Sequence, residues 1–194
     1  MSGYIEPERL QLSKEGWLSG VTHCPSPNCN ARPASAVVSL LVIHNISLPP
    51  GEYGGGHIAE LFTNQLDKDT HPYFASVAEL QVSSHFLIER DGSLTQFVGT
   101  QQRAWHAGIS SFQGVQNCND FSVGIELEGC DESPYNDAQY AALAALTVLL
   151  LNRYPALTSQ RIVGHCDIAP GRKTDPGPSF DWPRYFKLLG TSSR

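Results

Sequence analysis

Val37-Val38-Ser39-Leu40-Leu41-Val42-Ile43-His44 carries apolar, mostly β-branched side chains at every position from 37 to 43 except Ser39, and it ends on an imidazole. A strand with no polar alternation is covered on both faces, the condition found inside a parallel or mixed sheet with helices packed against it. The strand over 37–43 therefore delivers His44 to its carboxyl end, where such sheets gather reactive groups.

A second stretch, Phe121-Ser122-Val123-Gly124-Ile125-Glu126-Leu127-Glu128-Gly129, alternates. Val123, Ile125 and Leu127 share one face and Glu126 and Glu128 the other, which reads as a central strand with acids on one side. Asp91-Gly92 between apolar runs at 83–88 and 94–98 predicts a hairpin. A short strand over 161–165 ends on His165. A brief helix is expected over 58–62, after a Pro/Gly-rich loop from 49 to 56 and before an irregular stretch to Pro72. Asn136-Asp137-Ala138-Gln139 opens a longer helix with a capping box, running to about Tyr154 before Pro155. Ser179 is the expected cap of a last helix over 180–189. The sum is an α/β fold, a central mixed β-sheet flanked by α-helices, in a single domain over 1–194. Residues 1–35 are a loop-rich segment that wraps this domain, anchored by Trp17 and Leu18.

Bulk properties remove several functions. Of the 194 residues, 41% are hydrophobic and 16% charged, a globular composition, and no apolar run approaches the ~18 residues of a membrane span. Net charge is -6 with scattered Lys and Arg, so the basic footprint of a nucleic-acid binder is missing. The start, with Glu6, Pro7 and Glu8, lacks the pattern of an export signal. Five cysteines at irregular spacings suit reduced thiols in the cytoplasm. Cys24 and Cys29 beside His23 resemble half a zinc knuckle, but no second pair follows at finger spacing.

Seven histidines need sorting. His23, His57 and His71 sit in polar, loop-like contexts, and His85 lies mid-strand, either as a core histidine or as a site residue. His44 and His165 each end a strand and open a loop rich in Pro and Gly. Two imidazoles, the carboxylate of Asp175 and a fourth position left to water make up a common catalytic zinc site. The spacing alone is suggestive, since no compact motif such as H-E-x-x-H is present.

Four stretches together resemble one family: Val42-Ile43-His44-Asn45-Ile46-Ser47-Leu48-Pro49-Pro50-Gly51, Arg103-Ala104-Trp105-His106-Ala107-Gly108, the run from Cys118 through Glu128 to Gly129, and Gly164-His165-Cys166-Asp167-Ile168-Ala169-Pro170-Gly171-Arg172-Lys173-Thr174-Asp175-Pro176-Gly177-Pro178. They are similar to the AmpD-type 1,6-anhydro-N-acetylmuramyl-L-alanine amidases, from about Trp17 to Trp182. The resemblance implies a fold shared with the peptidoglycan recognition proteins and one Zn2+ on His44, His165 and Asp175. It also implies Glu126 as catalytic carboxylate and Lys173 as a stabiliser of the transition state. The substrate implied is a small anhydromuramyl-peptide, cut between the lactyl group and L-alanine during cytoplasmic recycling of wall fragments, with an influence on β-lactamase induction. The expected partners are thus a muropeptide, no nucleic acid and no membrane, with the chain a monomer.

Spacing does not choose between Glu126 and Glu128, and Lys173 without the motif would be a solvated surface lysine. Trp105 and His106 offer an aromatic face and a donor to a sugar or peptide, Trp105 having core packing as its alternative. Asn45 either holds substrate, orients a ligand or makes a structural hydrogen bond. Gln81 and Asn117 stand where relatives often carry arginine, which puts contacts to the peptide carboxylates in doubt. Gly171 replaces a frequent glutamate. Three rivals remain: a non-catalytic muramyl-peptide binder, a cysteine hydrolase using Cys118 or Cys166, and an amidase acting on intact murein.

Overall fold

The computed structural model describes residues 11–190, in which a six-stranded sheet of mixed direction carries helices on its faces. The first ten residues of the expected wrapping segment, with the reading of them as lacking an export signal, lie outside the described part. In chain order the elements are β1 (Thr22–His23), β2 (Cys29–Ala31), β3 (Leu40–Ile46), α1 (His57–Phe62), β4 (Phe86–Ile88) and β5 (Leu94–Gln96). They continue with β6 (Gln102–Ala104), β7 (Ser111–Phe112), β8 (Val115–Gln116), β9 (Ser122–Glu128), α2 (Asp137–Arg153), β10 (Ile162–Gly164), α3 (His165–Ile168) and α4 (Trp182–Leu188). The main sheet runs β1-β5-β4-β9-β3-β10, with all neighbours parallel except β4 and β5, while β2 with β6 and β7 with β8 form small antiparallel pairs.

The apolar run at 37–43 forms β3, shifted toward its carboxyl end: Val37 is 62% exposed, and the strand continues past His44 to Ile46. Backbone pairing explains the extension, because β9 matches β3 over seven residues, from Leu40↔Ser122 through His44↔Glu126 to Ile46↔Glu128. Alternation then sorts the side chains. Leu41, Ile43, Val123, Ile125 and Leu127 face α2 and α4 in the largest core cluster. Leu40 and Val42 pack on the opposite side with Ala107, Cys118, Val163 and Ile168. His44 and Glu126 point to that second side.

Helix α2 begins as expected, with Asn136 and Gln139 forming the capping box. It buries Tyr140, Leu143, Thr147 and Leu150, one stripe at helical spacing. The hairpin at Asp91-Gly92 is present with shorter strands, and Gly92 adopts φ 86 in the turn. Two boundaries differ from expectation. The last helix starts at Trp182, not 180, because Asp181 rather than Ser179 caps it, accepting from the Arg184 N–H at 2.9 Å. His165 opens the one-turn helix α3 rather than a loop, capped by Asp167, which accepts from the Gly164 N–H at 2.8 Å.

In the N-terminal segment Leu18 is fully buried and Trp17 half-buried. Arg32 fastens the rest of it, donating to the carbonyls of Thr100, Asn119, Asp120 and Ser122. Burial lowers the pKa of its guanidinium to about 10. Arg32→Ala strips these carbonyls of their donor and is expected to cost about 2–3 kcal/mol of stability, read by urea unfolding.

Candidate active site

Three elements converge on one point. β3 supplies His44, the first residue of α3 supplies His165, and the loop after α3 returns Asp175, pinned by the Cys166 N–H donating to the Asp175 carbonyl at 3.0 Å. His44 Nδ1 lies 2.9 Å from Asp175 Oδ2, His165 Nδ1 lies 3.1 Å from the same oxygen, and the two Nδ1 atoms are 3.0 Å apart. All three residues are buried, and among the described residues this is the group of metal-ligating side chains that converges.

The outer ring nitrogens fix the protons. His165 Nε2 faces the Ala107 carbonyl at 3.0 Å, and a carbonyl only accepts, so Nε2 carries a proton and Nδ1 is the ring atom turned to Asp175. Burial lowers the pKa of His44 to about 4 against the opposing effect of Asp175, and it drives His106 well below the usual value, so both rings are neutral. Burial alone would raise Asp175, but its bonds to His165 and His44 outweigh that and keep it ionised. A face of two imidazole nitrogens and a carboxylate oxygen, with edges of 2.9–3.1 Å, is close to the ~3.3 Å edge of a tetrahedral ion with bonds of ~2.0–2.1 Å. The residues present fit zinc.

Around this point lies a cleft of about 660 Å³, walled by Leu61, Phe62, Tyr73 and Leu80 on one side and rimmed by Arg172 and Lys173 on another. Glu126 lines it, 8% exposed, with Oε2 lacking any hydrogen-bond partner. Burial raises its pKa well above the ordinary value; the nearby Asp175 charge adds to this and Lys173 opposes it. Glu128 shares the face but is spoken for: its Oε1 accepts from the Gly54 N–H at 2.6 Å and its Oε2 from the Arg90 N–H at 3.1 Å. Lys173 is exposed at the cleft rim.

The other expected residues divide. Trp105 is half-buried against the cleft, with its indole N–H donating to Asn30 Oδ1 at 3.0 Å. Asn45 lines the cleft but directs its amide protons at Asp131 Oδ1 (2.8 Å) and the Pro176 carbonyl (3.1 Å), tying down the loop that carries Asp175. His106 has both ring nitrogens engaged, Nδ1 with His44 at 2.9 Å and Nε2 with Ser122 Oγ at 3.0 Å. His85 is a core histidine, accepting the Gly124 N–H at 3.0 Å and facing the Gln102 carbonyl at 3.1 Å. Gln81 is exposed between Leu80 and Val82 of the cleft wall, while Asn117 lines a separate cavity of about 350 Å³. Cys24 and Cys29 pack against apolar neighbours, and burial raises the thiols of Cys118 and Cys166, the reverse of what a nucleophilic thiolate needs. Asn119, Ser122 and Gly124 also shape the site; their types carry no chemical signal, and only their placement within a matched motif could have drawn attention to them.

The family model described as N-acetylmuramoyl-L-alanine amidase matches residues 34–178. The 1,6-anhydro-N-acetylmuramyl-L-alanine amidase AmpD of Citrobacter freundii is 57% identical over 182 residues, covering 94% of this chain and 97% of the relative. A crystal structure of a selenomethionine AmpD derivative superposes with a TM-score of 0.89 at 57% identity, covering 92% of this chain and 99% of that one. AmiD of E. coli, in complex with the substrate anhydro-N-acetylmuramic acid-L-Ala-D-γ-Glu-L-Lys, gives a TM-score of 0.58 at 30% identity over 96% of this chain and 67% of its own. Matched over most of its length by the family model and nearly end to end by AmpD, the chain belongs to the N-acetylmuramoyl-L-alanine amidase family, among the AmpD-type 1,6-anhydro-N-acetylmuramyl-L-alanine amidases.

Proposed function

We propose that this chain is a zinc-dependent amidase that hydrolyses the bond between the lactyl group of (1,6-anhydro-)N-acetylmuramic acid and the L-alanine of the stem peptide. The observation that carries the reading is the triangle of His44 Nδ1, His165 Nδ1 and Asp175 Oδ2 beside a buried, unpartnered carboxylate. These three residues would hold one Zn2+, which when bound polarises the amide carbonyl and acidifies water.

The remaining work belongs to the chain. Glu126 takes a proton from the attacking water and hands it to the departing alanine nitrogen, leaving a free lactyl carboxylate and a peptide amine. A raised proton affinity suits a group that must accept a proton and release it at one pH. Lys173 meets the negative charge that builds on the carbonyl oxygen. Asn45 keeps the Asp175 loop in place, and Trp105 offers a face to the sugar. A cleft of this size suits a glycopeptide fragment, and the substrate bound by AmiD belongs to that class. No described helix is long and apolar enough to cross a membrane, and the five free thiols suit a reducing compartment. We assign the reaction to the cytoplasm, as recycling of wall fragments; clearing anhydromuropeptides there would bear on β-lactamase induction.

Mass spectrometry of an anhydromuramyl-tripeptide incubated with zinc-loaded and with chelated protein tests this. Separated sugar and peptide are expected from the loaded protein only, with intact sacculi reacting more slowly. Equal cleavage after chelation would overturn the zinc role, and an intact tripeptide in both samples would overturn the amidase.

A further inference from the structure

We propose that His106 is a positioning residue: its Nδ1 accepts the Nε2 proton of His44 and so holds His44 in the tautomer that turns its Nδ1 lone pair toward Asp175. The proposal rests on reading His44, His165 and Asp175 as a metal site. A ligating imidazole needs its outer N–H engaged, because that bond selects the tautomer and sets the ring plane. For His165 the acceptor is the Ala107 carbonyl at 3.0 Å, and for His44 it is the adjacent residue's ring at 2.9 Å. Residues 106 and 107 thus orient both histidines, and Asn119 clamps that pair by accepting both backbone N–H groups on its Oδ1, at 3.2 and 2.8 Å. The His106 ring meets His44 edge-on, with centroids 5.0 Å apart and planes at 85°, and its other nitrogen is taken up by Ser122 Oγ.

The strand beneath has been cleared for this ring. Gly124 sits mid-way along β9, where glycine costs roughly 0.5–1 kcal/mol, and its backbone does not need glycine's left-handed freedom, since it is absent from the positive-φ positions. Space is what it provides. A Cβ at 124 would lie 2.5 Å from His106 Cγ and 2.6 Å from Nδ1. A buried ring kept only for packing would be served as well by an apolar side chain, without desolvating two nitrogens.

The test measures zinc dissociation constants by chelator competition, together with melting temperatures of the metal-free proteins. His106→Leu is expected to weaken zinc about 10–100-fold, whereas His106→Asn, whose amide oxygen can stand where Nδ1 stands, should remain within about threefold of wild type. Gly124→Ala should behave like His106→Leu. Equal losses in His106→Leu and His106→Asn, or wild-type affinity in His106→Leu despite a lower melting temperature, would overturn the proposal. If His106→Leu fails to fold, wild-type affinity in Gly124→Ala would do so. Wild-type protein that binds no zinc would instead overturn the metal reading beneath it.

Discussion

Glu126→Gln is expected to lower kcat by about 10²–10⁴-fold while leaving zinc content unchanged. The amide matches the carboxylate in size but cannot take a proton from water, so the loss falls on the chemical step and not on the fold. Stability should move the other way. In the native protein Oε2 is buried without a partner, so ionising Glu126 disfavours the folded state. For an acid whose folded pKa is raised, this penalty is absent below the ordinary carboxylate value of 4.5 and grows as pH climbs from there to the raised one. It is complete above that. Metal-free Glu126→Gln should therefore melt above metal-free wild type at pH 8, and the difference should vanish near pH 4. Glu128→Gln is the control. Its amide group would face the Gly54 or Arg90 N–H, so it should lose stability but keep most of its kcat. An inactive Glu128→Gln beside an active Glu126→Gln would reverse the assignment of the two acids.

Asp175→Ala should abolish turnover at ordinary zinc concentrations. It removes the only charged donor of the three, so the loss in zinc affinity is expected to exceed the roughly 100-fold that outer partners command. A ligand that binds only the native state stabilises it by about 2.7 kcal/mol at a hundred times its Kd. Zinc should therefore raise the melting temperature of wild type, and the same zinc should leave Asp175→Ala nearly unmoved. A variant that still melts higher with zinc would place the ion elsewhere.

What the sequence disclosed was local, and what it concealed depended on distant partners. The alternation in β9 and the capping box of α2 are set by neighbours within a few residues, and both are where the pattern predicted. The choice between Glu126 and Glu128 was invisible, because it is made by amides 74 and 38 residues away from Glu128. At the start of α4 it is Asp181, not Ser179, whose carboxylate accepts the Arg184 N–H and caps the helix. His44 and His165 could be named from their positions at strand ends. That His106 stands directly behind His44 could not be, since it depends on a glycine eighteen residues further along the chain and on a strand the two residues do not share.

The parallel pairing of β3 with β9 sets His44 beside Glu126 through backbone bonds alone, independent of any flexible loop. The separation between the imidazole and the acid is therefore as rigid as the sheet itself, and an insertion of one residue in β9 ahead of Glu126 would turn that acid into the oily layer beneath α2. Changing the length or composition of the loops around the cleft leaves that spacing untouched, so the entrance can be reshaped while the two side chains stay in register.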